Sequence, residues 1–113
     1  MRIEHYSFGR ISIDGTLYTS DVIIYPDRVD ASWWRKEGHY LQKVDLADIV
    51  AAGPELLIVG TGAHGVMAVP DSTIAYLSSH NIALLAEKTD KAVELFNNQP
   101  PGKKVIAALH LTC

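Results

Sequence analysis

The chain has 113 residues, 48% of them apolar and 20% charged, which fits one folded domain with a single hydrophobic core and excludes wholesale disorder. Its formal net charge is −3, and its ten Lys and Arg are scattered rather than clustered, so the electrostatic footprint of a nucleic-acid binder is missing. The one cysteine, Cys113, offers neither an internal disulfide nor a zinc spacing, and no apolar stretch approaches the ~20 residues of a membrane span.

The first ten residues, MRIEHYSFGR, are charged and lack the apolar region of a secretory signal, which points to a reducing, cytoplasmic setting. Ile3, Tyr6 and Phe8 are apolar among polar neighbours and predict a short strand ending at Gly9. Ile11 and Ile13 alternate with Ser12, and Asp14-Gly15 follows at once. Asp-Gly between alternating runs is a hairpin signal, because both central residues of a type I′ turn need positive φ. Leu17 to Ser20 is the return strand. Asp21 precedes VIIY, a further strand of β-branched and aromatic residues stopped by Pro26 and Asp27.

Residues 28–42 are the least regular. Trp33 and Trp34 cannot share one side of a strand, so one belongs to the core and the other to the surface or a second layer. From Asp45, the expected cap, Leu46, Ile49 and Val50 define a helix face that Gly53 and Pro54 end. Leu56 to Val59 then reads as a strand buried on both faces, since a half-exposed strand would alternate. Gly60, Thr61, Gly62 and Gly65 break the pattern, and Val66 to Val69 is a short extended piece. Asp71 looks like the cap of the next helix, with Ile74 and Leu77 inward. Asn81 takes the left-handed position after it, and Ile82 to Ala86 predicts another buried strand. Thr89 is read as the cap of a helix from Asp90 to about Asn98, with Ala92, Val93 and Phe96 as its apolar stripe. Lys104 to Leu111 is the last strand. The second half is therefore a β-α-β-α-β unit with parallel pairing, preceded by antiparallel strands, and the class is mixed α/β or α+β.

Several segments now resemble a known family: Phe8-Gly9, the Asp14-Gly15 turn, DVII from Asp21, Trp34, PELLIVGTG from Pro54, NIALLAEKT from Asn81, AVELFN from Ala92 and KKVIAALHL from Lys103. Over nearly its whole length the chain is similar to small Mth-type domains, a family with an adipogenesis-associated member and a mitochondrial complex I assembly factor. The resemblance implies a three-layer α/β sandwich with a hammerhead-like antiparallel region at the N-terminus, and no assigned activity for most members. It also implies a departure: Asn81 stands where members often have glycine, and Lys103-Lys104 where they often have arginine. A lysine lacks the planar bidentate fork, so a role resting on that guanidinium does not transfer.

Two features carry functional hypotheses. The loop Gly60-Thr61-Gly62 through His64 to Gly65 lies at the carboxyl end of a buried strand, where open α/β sheets bind ligands, and glycines let backbone N–H groups approach an anion. It fits neither GxGxxG nor the Walker pattern, and a tight turn required by close packing accounts for it better than a ligand site does. His64 has the residue type of a general acid or an anion ligand but no carboxylate partner in sequence. His110 alternates with apolar neighbours and reads as structural, and the five His show no ligand spacing, so neither metal nor cofactor is expected. No nucleophile elbow, Cys-His pair or paired-carboxylate motif is present; whether the chain is an enzyme stays open, with the balance against. The second feature is Trp33, Trp34 and Tyr40, large aromatics among charges, a composition enriched at interfaces. The first reading is a non-enzymatic protein-interaction or assembly-accessory domain, binding a protein partner or itself through these aromatics. The alternative is a small-molecule or anion-binding domain that uses the glycine loop.

Overall fold

In the computed structural model, which describes residues 1–113, strands β1 (Ile3–Ser7), β2 (Arg10–Ile13) and β3 (Thr16–Tyr18) form an antiparallel meander. Ile13 pairs with Thr16 across Asp14 (φ 48°) and Gly15 (φ 83°), the positive-φ pair that a type I′ turn demands. The turn is also held from outside: Arg2 N donates to Asp14 Oδ1 at 2.8 Å and Gly15 N to Glu4 Oε1 at 2.9 Å.

A second sheet contains β4 (Val22–Ile24), β5 (Val29–Asp30), β6 (Leu56–Thr61), β7 (Ala83–Glu87) and β8 (Val105–His110), in the order β5-β4-β8-β6-β7. β6 is parallel to both β7 and β8, while β4 is antiparallel to β8 and β5. The middle place thus belongs to β8, with the apolar run of β6 beside it. Both strands are buried on two faces, as their unbroken apolar runs imply. Alternate residues feed two cores. Ile23, Leu57, Val59, Ile106 and Ala108 pack with Leu46 and Ile49 of the first helical segment and Leu77 of the second. Val22, Ile24, Leu56, Ile58, Ala107 and Leu109 face Ile3, Ile11 and Ile13 of the meander and Ala92 of the last helix. The result is a three-layer mixed α/β sandwich with the five-stranded sheet in the middle.

The helices depart from expectation at their starts. A 3-10 turn at Lys43–Leu46 leads into α1 (Ala47–Ala52), so Asp45 is not an N-cap; its carboxylate accepts from Gln42 N at 2.8 Å and closes the turn from within. Gly53 ends α1 at φ 63° as predicted. In α2 (Asp71–Ser79) the cap position is Pro70, not Asp71, and the buried pair is Thr73 and Leu77 rather than Ile74 and Leu77. The Thr73 hydroxyl donates to Leu41 O at 2.9 Å, which turns that side of the helix inward and leaves Ile74 42% exposed. Asn81 has φ 60°, as expected for a helix stop. β7 is the sheet's edge: it has one neighbour, and Ala83, Leu85 and Ala86 are exposed, so the expected buried strand is half open. In α3 (Thr89–Asn97) the cap position is Lys88, and Thr89 points into the core. Asn97 closes the far end, accepting from Ile3 N at 3.0 Å and donating to Ile3 O at 2.8 Å.

Ile58→Ala removes a fully buried side chain from the middle sheet and should cost roughly 2–5 kcal/mol in urea unfolding, whereas Ile74→Ala should cost under about 1 kcal/mol.

Candidate functional site

The glycine loop is closed upon the chain itself. Gly60 sits inside β6, where a Cβ would lie 2.8 Å from Thr89 Oγ1 and 2.9 Å from Leu109 Cδ2. Gly62 has φ 107°, and a Cβ there would lie 2.2 Å from the Cys113 carbonyl carbon. These glycines are needed for close approach of α3 and of residues 112–113. The amides are engaged too. Gly62 N donates to Thr89 Oγ1 at 2.9 Å, Ala63 N to Thr112 O at 2.6 Å, Val66 N to Cys113 O at 3.1 Å and Met67 N to Thr61 O at 3.1 Å. Thr89 passes the chain of bonds on, donating to His110 O at 2.6 Å. Thr61 Oγ1 donates to Glu87 O at 3.1 Å, and His64 is exposed with its ring 6.2 Å from that of Phe8. No surface depression is lined by Gly60, Thr61, Gly62 or His64.

A buried ionic cluster lies nearby. Asp21, Arg35 and His110 come from the start of β4, the irregular segment and the end of β8. Asp21 Oδ2 accepts from Arg35 Nη2 and from His110 Nδ1, each at 2.8 Å, and Oδ1 accepts from Leu111 N at 2.8 Å. A carboxylate is acceptor-only, so Nδ1 carries the imidazole proton. Arg35 Nη2 at 3.0 Å from that nitrogen is then a close neighbour rather than a bonded one. Burial alone would raise the Asp21 pKa, but the hydrogen bonds from His110, the Leu111 amide and Arg35 outweigh it and hold the carboxyl at about 2. Arg35 Nη1 and His110 Nε2 are buried without a protein partner. The cluster opens into no depression, and no group of three His, Cys, Asp or Glu is placed to hold a metal ion. The sequence reading takes His110 as a satisfied structural histidine, whereas its Nε2 is buried without a partner, and it misses Asp21 and Arg35. The available signal was a carboxylate flush against the buried VII run, at the level where the last strand presents its one polar inward residue.

This cluster sets the aromatic face. Arg35 also stacks 4.5 Å above the Trp33 ring and donates from Nε to Gly38 O at 3.2 Å, while Trp33 Nε1 donates to Asp45 O at 3.3 Å. Trp33 is therefore core, 8% exposed, and does not present itself on the surface. With residues 33 and 35 both drawn inward, the side chain between them is turned out: Trp34 is 73% exposed. Tyr40 and Val44 are exposed beside it at 42% and 61%. Two depressions flank Val44. One, of about 220 Å³, is lined by Trp34 and Ala47 with Asp30, Asp45 and Asp48; the other, of about 390 Å³, by Tyr40 and Pro70 with Lys36 and Lys43. A third depression, of about 410 Å³ around Tyr25, Phe96 and Lys103, lies at the opposite end of β8.

A family model described as "Protein of unknown function (DUF498/DUF598)" matches residues 3–110. Among solved structures, a conserved hypothetical protein from Pyrococcus horikoshii OT3 is 25% identical, with 100% of both chains covered and a TM-score of 0.85. A Rhodopseudomonas palustris protein is 27% identical over 95% of this chain and 80% of its own, with a TM-score of 0.78. A Bordetella pertussis protein described as a Mth938-like domain is 19% identical over 97% and 85%, with a TM-score of 0.70. The Mth-type resemblance and the mixed α/β fold it implied are thereby borne out.

Two outcomes follow from this geometry. Because the folded pKa of Asp21 lies near 2 and below its ordinary 3.8, its contribution is full above about pH 5 and is lost as the pH falls through about 4 to 2. Asp21→Asn should remove about 2 kcal/mol of that pH-dependent stability, seen as a flatter urea-unfolding profile across this window. Gly62→Ala, blocked by backbone and by positive φ, should cost more than about 2 kcal/mol, whereas Gly38→Ala, with nothing within 4 Å, should stay within about 0.5 kcal/mol.

Proposed function

The chain belongs to the family of proteins of unknown function described as DUF498/DUF598, and on that footing we propose that it is a non-enzymatic protein-interaction or assembly-accessory domain whose docking face is Trp34, Tyr40 and Val44. The observation that carries this reading is the exposure of Trp34, 73%, between two neighbours that are anchored in the core. A large aromatic that is both exposed and held by a rigid mount meets the two conditions of a binding hot spot: apolar area to remove from water, and little freedom to lose on docking. Tyr40 has a mount of its own, since Leu41 N donates to Ala68 O at 2.9 Å and Ala68 N to His39 O at 2.8 Å on either side of it. Trp33, named with these aromatics from the sequence, acts in this proposal as the anchor beneath the face.

Support against a ligand-binding role for the Gly60–Gly65 loop is that its Gly62 and Ala63 amides already hold Thr89 and Thr112, while the amide of Val66 just beyond it holds Cys113. Support against catalysis by the Asp21–His110 pair is that the pair faces no cavity. The partner is a protein and the setting cytoplasmic in this proposal; no helix is long and apolar enough to cross a membrane.

The test is affinity capture followed by titration of the captured protein. Trp34→Ala should weaken binding about 30-fold or more, in keeping with a hot-spot loss of 2 kcal/mol or greater, with the thermal midpoint within about 2 °C of the parent. Undiminished binding by a folded Trp34→Ala, Tyr40→Ala double variant would sink the proposal.

A further inference from the structure

We propose that the occupant of this face is a second copy of the same chain, docked about a two-fold axis that passes at Val44. The inference rests on the reading of the face as an interaction surface and adds to it the identity of the partner. Its basis is the charge pattern. The two depressions share Val44 and no other residue, so Val44, 61% exposed, stands as a ridge between them. On one side the exposed aromatic is Trp34 and the charges are carboxylates, Asp30 and Asp48. On the other the aromatic is Tyr40 and the charges are ammonium groups, Lys36 and Lys43. None of these four charged groups takes part in an ion pair within the chain.

A face divided in this way is complementary to itself. In an isologous interface each half meets the opposite half of the partner, so rotation about Val44 sets both acidic halves against basic ones and each Trp34 against a Tyr40. Val44 then meets its own copy. A uniformly basic or acidic protein would match one half of the face and place like charges against the other, which costs affinity. The chain's net charge of −3 repels a second copy at long range, so attraction has to come from these local pairs. Dimerisation should therefore weaken as salt screens them.

The experiment is sedimentation equilibrium on the full chain at low and high salt, with circular dichroism to confirm folding of each variant. The parent chain should dimerise, at least fivefold more weakly at 0.5 M than at 0.05 M NaCl. Val44→Asp, at the axis, should weaken the dimer at least tenfold. Asp48→Lys and Lys43→Glu should each weaken it, because each sets like charges together twice. An equimolar mixture of those two variants should recover dimers, since one of the two pairs is native and the other reversed. A parent chain that stays monomeric at every concentration, a dimer indifferent to Val44→Asp, or a mixture no better than its components would each overturn the second copy as occupant. If a monomer still captures a different protein through Trp34, the face stands and only the self-docking inference falls; if it captures nothing, both fall.

Discussion

The carboxylate of Asp21 is the constraint on which the rest of this structure turns. It receives donors from a buried guanidinium, a buried imidazole and the amide that follows the last strand. Those donors come from two distant parts of the chain, residue 35 and the neighbours 110 and 111. Through His110 and Leu111 the carboxylate fixes the end of the middle strand, and through Arg35 it fixes the irregular segment that crosses above the sheet. Leu111 extends the tie, because its carbonyl accepts from the Tyr6 hydroxyl at 2.9 Å and from Gly9 N at 2.8 Å. One acidic group thus joins the five-stranded sheet, the meander and the aromatic segment. Such a node has little to offer as a source of net stability, because three polar groups leave water to form it. Its effect is to specify one arrangement: loss of the carboxylate would leave Arg35 charged and uncompensated in the interior.

The carboxyl ends of β6 and β8 show the same economy. Open α/β sheets bind ligands at this edge because strand ends and helix starts leave backbone groups without partners. Here those groups find partners within the chain. Thr89, at the start of α3, uses its hydroxyl both to accept from Gly62 N and to donate to His110 O. Residues 112 and 113 lie where a ligand would lie, against a glycine that leaves no room for a side chain. The motif that most invites comparison with phosphate-binding loops is a seam that seals the sandwich.

Function, in this reading, has moved from the strand ends to the flank. The tight anchoring of Trp33 and Arg35 and the outward thrust of Trp34 are one geometric event, since consecutive side chains of an extended segment point to opposite sides. The polar network in the interior and the apolar group on the surface are two ends of the same lever. A rigid aromatic flanked by a carboxylate side and an ammonium side is suited to recognise a protein surface.

By itself the sequence determined whatever follows from local stereochemistry. The Asp14-Gly15 hairpin, the left-handed stops at Gly53 and Asn81, the doubly buried run of β6, and the β-α-β-α-β order were all legible, because each depends on residues within a few positions of one another. One tryptophan in and one out was legible for the same reason. The tertiary structure decided what depends on partners far along the chain. Thr89 has the residue type of a helix cap but meets Gly62 and His110; Ile74 has the spacing of a core residue, but Thr73 finds Leu41 first. Ile82 to Ala86 is apolar enough for the middle of a sheet yet lies at its edge, since strand order is set by the crossovers. Asp21 and His110 are separated by 89 positions. No periodicity brings together a carboxylate, a guanidinium and an imidazole from three segments; only the packing of two sheets against one another does so.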